Sequence, residues 1–113
     1  MKIVIKKDGF LWKKYHFRIV ADNGSILCRS RKETTLNDCM LLLIRIKKFC
    51  KSEIGLTIEI VKNKLVHQKY HFRYIDDESN ILAWSENYHN RKDCEDAVEL
   101  IKTGINAAEI ITL

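Results

Sequence analysis

Two His-x-Arg pairs, His16/Arg18 and His71/Arg73, recur inside an identical pentapeptide, Lys-Tyr-His-Phe-Arg, at residues 14–18 and 69–73. Arginine and histidine converging on one face suit a phosphate or carboxylate, since a guanidinium fork matches the geometry of either anion. In strands with Tyr15, Phe17, Tyr70 and Phe72 turned to a core, alternation sends all four basic side chains to the opposite, open face. The plainer account is a solvated sheet face whose cations pair with cross-strand acids, and recurrence at two places favours it. His67 and His71 have the four-residue spacing of a helical metal pair. On a strand, four residues span roughly 13 Å, too far for both to reach one ion. No metal site is expected.

Nucleophilic catalysis needs a base, oriented by a third group, beside a serine or cysteine. No such local grouping occurs, nor does a Gly-rich phosphate loop, so neither an enzyme nor a cofactor is expected. The four cysteines, Cys28, Cys39, Cys50 and Cys94, contain no C-x-x-C pair. Cys39 and Cys94 fall within apolar helical patterns and read as small buried hydrophobes, not as ligands or a disulfide framework.

The elements that must position these residues follow from the repeat. The pentapeptides lie 55 residues apart, and sliding the chain on itself by that amount aligns it without a gap. Ile3 meets Ile58, Asp22 meets Asp77, Ile26-Leu27 meets Ile81-Leu82, and Asp38-Cys39 meets Asp93-Cys94. Self-similarity at a fixed period indicates duplicated units that bury their apolar faces together, here residues 1–55 and 56–113 of one domain. In the first unit, alternation gives a short strand around Ile3 and Ile5, a longer one from Tyr15 to Ala21, and a third from Ile26 to Arg29. Asp22-Asn23-Gly24-Ser25 supplies a hairpin turn, with Asn-Gly taking the positive-φ positions. The second unit repeats this over Leu56–Val61, Lys69–Ile75 and Ile81–Ser85. It lacks the turn glycine between Asp76 and Asn80, so a looser or different hairpin is expected there.

Thr35-x-x-Asp38 and Asn90-x-x-Asp93 each announce a helix with a capping residue and an acid three positions on. Their apolar stripes correspond: Cys39, Leu42, Leu43, Ile46 and Cys50 against Cys94, Ala97, Val98, Ile101 and Ile105. A final strand spans Glu109 to Leu113, giving the order βββα-βββα-β. The two helices differ away from the stripe. Where the second has Arg91, Glu95, Asp96 and Glu99, the first has Leu36, Met40, Leu41 and Ile44. A helix apolar on two sides is either covered on both or offers a docking surface. Arg45 and Lys48 would give that surface a basic rim. The alternative is that Phe10-Leu11-Trp12 folds over it within the chain.

Charge is uneven along the sequence. Residues 1–56 carry 13 Lys/Arg against 5 Asp/Glu, whereas residues 57–113 carry 7 against 10. The net +5 therefore belongs to the first repeat. There Lys13, Lys14, Arg29 and Arg31 join His16, Arg18, His71 and Arg73 as candidate anion-binding or nucleic-acid-binding residues. No RNA-recognition signature is present, so any nucleic-acid binding should be weak and non-specific. No apolar run approaches the eighteen or so residues of a membrane span, and no signal segment opens the chain. A cytoplasmic location with no membrane partner follows. The leading functional expectation is a non-enzymatic module that docks a protein partner, or itself, through Leu36, Met40, Leu41 and Ile44.

The run Phe17-Arg18-Ile19-Val20-Ala21-Asp22-Asn23-Gly24-Ser25-Ile26-Leu27, the later Ser85-Glu86-Asn87-Tyr88 and the helix that follows each resemble the YegP-like family of small bacterial proteins. Their order and spacing carry the likeness over nearly the whole chain. Two departures are Ser30-Arg31-Lys32-Glu33 in place of Ser-Glu-x-Tyr, and the missing hairpin glycine of the second unit. The resemblance implies an α+β fold: tandem duplicated β3-α-β units forming one antiparallel sheet, terminal strands exchanged, and two helices packed on one face. It implies no activity, the family being one of unknown function.

Overall fold

The computed structural model describes residues 1–65 and 69–113. It is a mixed α+β fold built on one seven-stranded sheet and two helices. Strands β1 (Lys2–Asp8), β2 (Lys14–Val20) and β3 (Ile26–Ser30) precede helix α1 (Leu36–Ser52). Strands β4 (Thr57–Lys62), β5 (Tyr70–Ile75) and β6 (Ile81–Trp84) precede helix α2 (Arg91–Gly104). A short 3-10 turn, Ile105–Ala107, leads into β7 (Glu109–Thr112). The strand order is β4-β5-β6-β3-β2-β1-β7, so β3 and β6 meet at the centre.

The sheet is not antiparallel throughout. β7 runs parallel to β1, with Ile3 opposite Ile110 and Val4 opposite Ile111. Hairpin-linked strands must run antiparallel, but β7 arrives by way of a helix, and such a crossover permits parallel pairing.

Period-two alternation builds the core side of the sheet. Ile3, Ile5, Phe17, Ile19, Phe72, Tyr74 and Leu82 all lie buried in one apolar cluster. α1 packs on β2 and α2 on β5, and their buried stripes join that cluster. Thr35 caps α1 by accepting the Asp38 N–H at 3.1 Å, and Asn90 caps α2 through the Asp93 N–H at 2.8 Å. Two buried serines pin the central strands to their neighbours. Ser30 Oγ accepts the Phe17 N–H at 2.9 Å and donates to the Arg31 carbonyl at 2.9 Å. Ser85 Oγ does the same with Phe72 N–H at 2.9 Å and the Glu86 carbonyl at 2.8 Å.

The two hairpin turns are alike, contrary to the expectation from the lost glycine. Ala21 N–H donates to Ser25 O, and Gly24 N–H to Ala21 O; Asp76 to Asn80 and Ser79 to Asp76 repeat the pattern. Gly24 (φ +89°) and Ser79 (φ +65°) take the left-handed position. Asn23 does not take it; its Oδ1 accepts the Ser25 N–H at 2.9 Å instead. In the second turn the Asp76 carboxylate accepts from the Glu78 and Asn80 N–H groups. Those bonds hold Ser79 where glycine would sit without strain.

Candidate functional site

Across the sheet face away from the core, one register row carries most of the chemistry. Val4 pairs with Arg18, Arg18 with Arg29, Arg29 with Trp84, Trp84 with Arg73, and Arg73 with Glu59. Three arginines thus flank a tryptophan at the centre of the sheet. Arg73 is neutralised by Glu59, its Nε lying 3.0 Å from Oε1. Arg29 is neutralised by Glu86, with Nε and Nη2 at 3.0 and 2.8 Å from Oε1. Arg18 has no such partner among the described residues. Val4 stands opposite it in the place Glu59 holds opposite Arg73, and its buried Nε meets no acceptor among the described residues. Arg29, directly opposite Arg18, is held by Glu86, so the uncompensated charge of this pair is that of Arg18.

Arg18 and Arg29 line a cleft of about 230 Å³ with Asp8, His16, Ser30, Lys32 and Trp84. That volume falls below the roughly 300 Å³ where drug-sized pockets begin, and suits a phosphate-sized group with water. His16 is not on a solvated face as alternation alone suggested; it is only 7% exposed. Neighbours in the same cleft crowd it. Its Nδ1 lies 2.9 Å from Asp8 Oδ2, although off the N–H direction, so the contact is an ion-pair distance without a hydrogen bond. Burial holds its pKa below the usual 6.5, Arg18, Lys32 and Lys6 push the same way, and Asp8 opposes them.

The remaining candidate cations lie elsewhere. His71 and Arg73 sit beyond Trp84 on β5. Arg31 is engaged with Glu33 at 2.6 Å, and Lys13 and Lys14 sit at the end of the β1–β2 hairpin. Trp84, Ser30 and Asp8 are cleft residues that sequence reasoning missed. The signal for Trp84 was available, because it stands 55 residues after Arg29 and shares its strand phase.

On α1, the buried stripe is the expected one: Cys39, Leu42, Leu43, Ile46 and Cys50. Leu36, Leu41 and Ile44 are 40%, 56% and 46% exposed. Met40 departs from them: it is half-buried against the core cluster, because its position one residue after Cys39 puts it on the shoulder of the stripe. Phe10, Leu11 and Trp12 are themselves exposed and give this face no cover. Leu41, Ile44, Arg45 and Lys48 follow helical spacing toward a cleft of about 390 Å³ lined by Arg45, Lys48, Ser52, Ile54, Gly55 and Leu56. The corresponding face of α2 is charged, with Arg91–Glu95 and Lys92–Asp96 pairs at 3.1 and 3.2 Å.

All four cysteines are free and buried, and burial pushes the Cys39 and Cys94 thiols up to about 11, which disfavours the nucleophilic thiolate. Among the described residues no group of three or more His, Cys, Asp or Glu side chains is placed to hold a metal ion. His67, half of the spaced histidine pair, lies outside the described residues.

Residues 67–111 match a family described as a domain of unknown function, DUF1508. Two solved structures share the fold. A UPF0339 protein from Shewanella oneidensis aligns at a TM-score of 0.80 and 17% identity, over 99% of this chain and 90% of its own. The protein of unknown function yegP from E. coli aligns at 0.76 and 14% identity, over 99% of this chain and 93% of its own. No curated protein matches the sequence.

Proposed function

We propose that this chain, which carries a DUF1508 domain at residues 67–111 and has the YegP-like fold over its length, is a non-enzymatic protein-interaction module of the cytoplasm. Its docking face is the outer side of α1. The observation that carries the proposal is the exposure of Leu41 and Ile44 on the side of the helix opposite its buried stripe, with Leu36 exposed at its first turn. Leaving such a stripe in water costs free energy that burial in a partner recovers, at about 25 cal/mol per Å². Lys48 and Arg45 at its rim favour an acidic partner. Arg45 lies 4.0 Å from Asp76, a distance at which the pair is weak and open to exchange.

We further infer that residues 1–55 and 56–113 are copies of one β3-α-β unit within a single domain. The matching caps, the paired serine bonds and the shared backbone bonding of the turns support this. On that basis α2 serves as the built-in control for α1. The test is capture from nuclease-treated bacterial lysate with the natural chain and with a variant carrying Leu36→Arg, Leu41→Asp and Ile44→Glu. Met40 is left in place because it packs against the core. A protein held by the natural bait and lost from the folded variant supports the docking face. Equal capture by both baits refutes it.

A second function is favoured by Arg18: the cleft binds a phosphate-bearing ligand, with Arg18 on the anion and Trp84 beside it. Titration with inorganic phosphate, read by tryptophan emission, should give a response that Arg18→Gln removes and Val4→Glu weakens. An unchanged response in Arg18→Gln would rule the cleft out.

A further inference from the structure

The loop joining β1 to β2 presents Phe10, Leu11 and Trp12 in succession, 91%, 79% and 84% exposed. Strand pairing ends with Asp8 opposite Lys14, so these residues stand at the end of a hairpin. Gly9 has φ +92°, and a Cβ there would strike the Trp12 carbonyl oxygen. The tip is therefore closed on its own backbone, and its three apolar side chains point into solvent. Behind it lie Lys6, Lys7, Lys13 and Lys14. The hairpin's one acid, Asp8, has the Lys32 ammonium 3.7 Å away.

We propose that this tip is a reversible anchor to an anionic membrane surface. The tryptophan ring is at home in the headgroup region, where its apolar body and polar edge are both accommodated, and phenylalanine and leucine bury at the acyl boundary beneath it. Lysines a few residues behind reach back to anionic headgroups on their aliphatic stems. Three consecutive side chains on a convex tip diverge, and a protein pocket would have to receive all three at once. A fluid interface takes them in any direction. The expectation of no membrane partner came from the absence of a spanning segment. No helix among the described residues is long and apolar enough to cross a membrane, but a surface tip needs none. One such tip with four lysines gives weak, salt-sensitive binding. The proposal is independent of the face on α1.

Flotation of the full chain tests it, with vesicles of phosphatidylcholine alone and of equal parts phosphatidylcholine and phosphatidylglycerol. The chain should float with the anionic vesicles and not the neutral ones, and added salt should release it. Phe10→Ser with Leu11→Ser should weaken retention by about tenfold or more, since both side chains are exposed and their loss leaves the core intact. The chain has two tryptophans, so Trp84→Phe leaves Trp12 as the sole reporter, and its emission should shift to the blue on anionic vesicles. Failure of the natural chain to float, equal retention of the double variant, or unshifted Trp12 emission overturns the proposal.

Discussion

Replacing Ser30 or Ser85 with alanine probes the fold at its two most comparable points. Each hydroxyl is buried, accepts a backbone N–H from the neighbouring strand and donates to the carbonyl of the next residue. Phe17 and Phe72, whose N–H groups are served, are themselves wholly buried, so water does not replace the lost acceptor. A stranded buried donor costs about 1–3 kcal/mol, while exchanging a hydroxyl for a hydrogen leaves too little space for a large cavity cost. Each variant should therefore lose about 1–3 kcal/mol against a total near 5–15 kcal/mol. In melting temperature that is roughly 3–6 °C for each kcal/mol at this chain size. Urea unfolding should show lower midpoints with unchanged slope, and Ser25→Ala, on the exposed hairpin, should stay within about 0.5 kcal/mol of the natural chain. The reasoning fails if either buried-serine variant is as stable as Ser25→Ala, or if one costs several kcal/mol and the other nothing.

Ser79→Gly should stabilise the chain by about 0.5–1 kcal/mol, because glycine occupies the left-handed position without the Cβ penalty that serine bears there; an unchanged or lower urea midpoint would contradict this. Stability should fall with acid below about pH 6.5, because burial lowers the pKa of both His16 and His71 from that value in the folded state. The unfolded chain then binds protons first, so the contribution present at neutral pH is lost as pH drops through the folded values. Urea midpoints measured from neutral pH down to about 5.5 should decline, and His16→Asn should flatten the decline. A profile that is level or rises toward acid would refute the assignment.

Much of the fold was legible because it rests on strong local signals. The stripe of α1 was readable from 3.6-residue spacing, and both helix starts from Thr35 and Asn90. What escaped depends on partners distant in sequence. The direction of β7 is set by how the chain leaves α2, which no pattern within Glu109–Thr112 records. Ser79 adopts the conformation of Gly24 because the Asp76 carboxylate holds the turn, a bond that residue type alone does not reveal. Strand phase put His16 on the open face correctly, but its burial comes from the crowding of Asp8, Arg18 and Lys32 around it. The free state of Arg18 was hidden for the same reason: it follows from Val4 standing where Glu59 stands in the other half, and that matters only once both rows are in register. Met40 was misplaced by one step around the helix, where a shoulder position and an outer position differ by about 100°.

The claim that α1 is a docking face is tested most directly by placing a photo-crosslinking amino acid at Leu41 and, separately, at Asp96, its counterpart on α2. Both positions are exposed, so the substitutions leave the core untouched. Irradiation in bacterial lysate should give a discrete adduct from position 41, with a partner or a second copy, and none from position 96. No adduct from position 41, or the same adducts from both, would contradict the account.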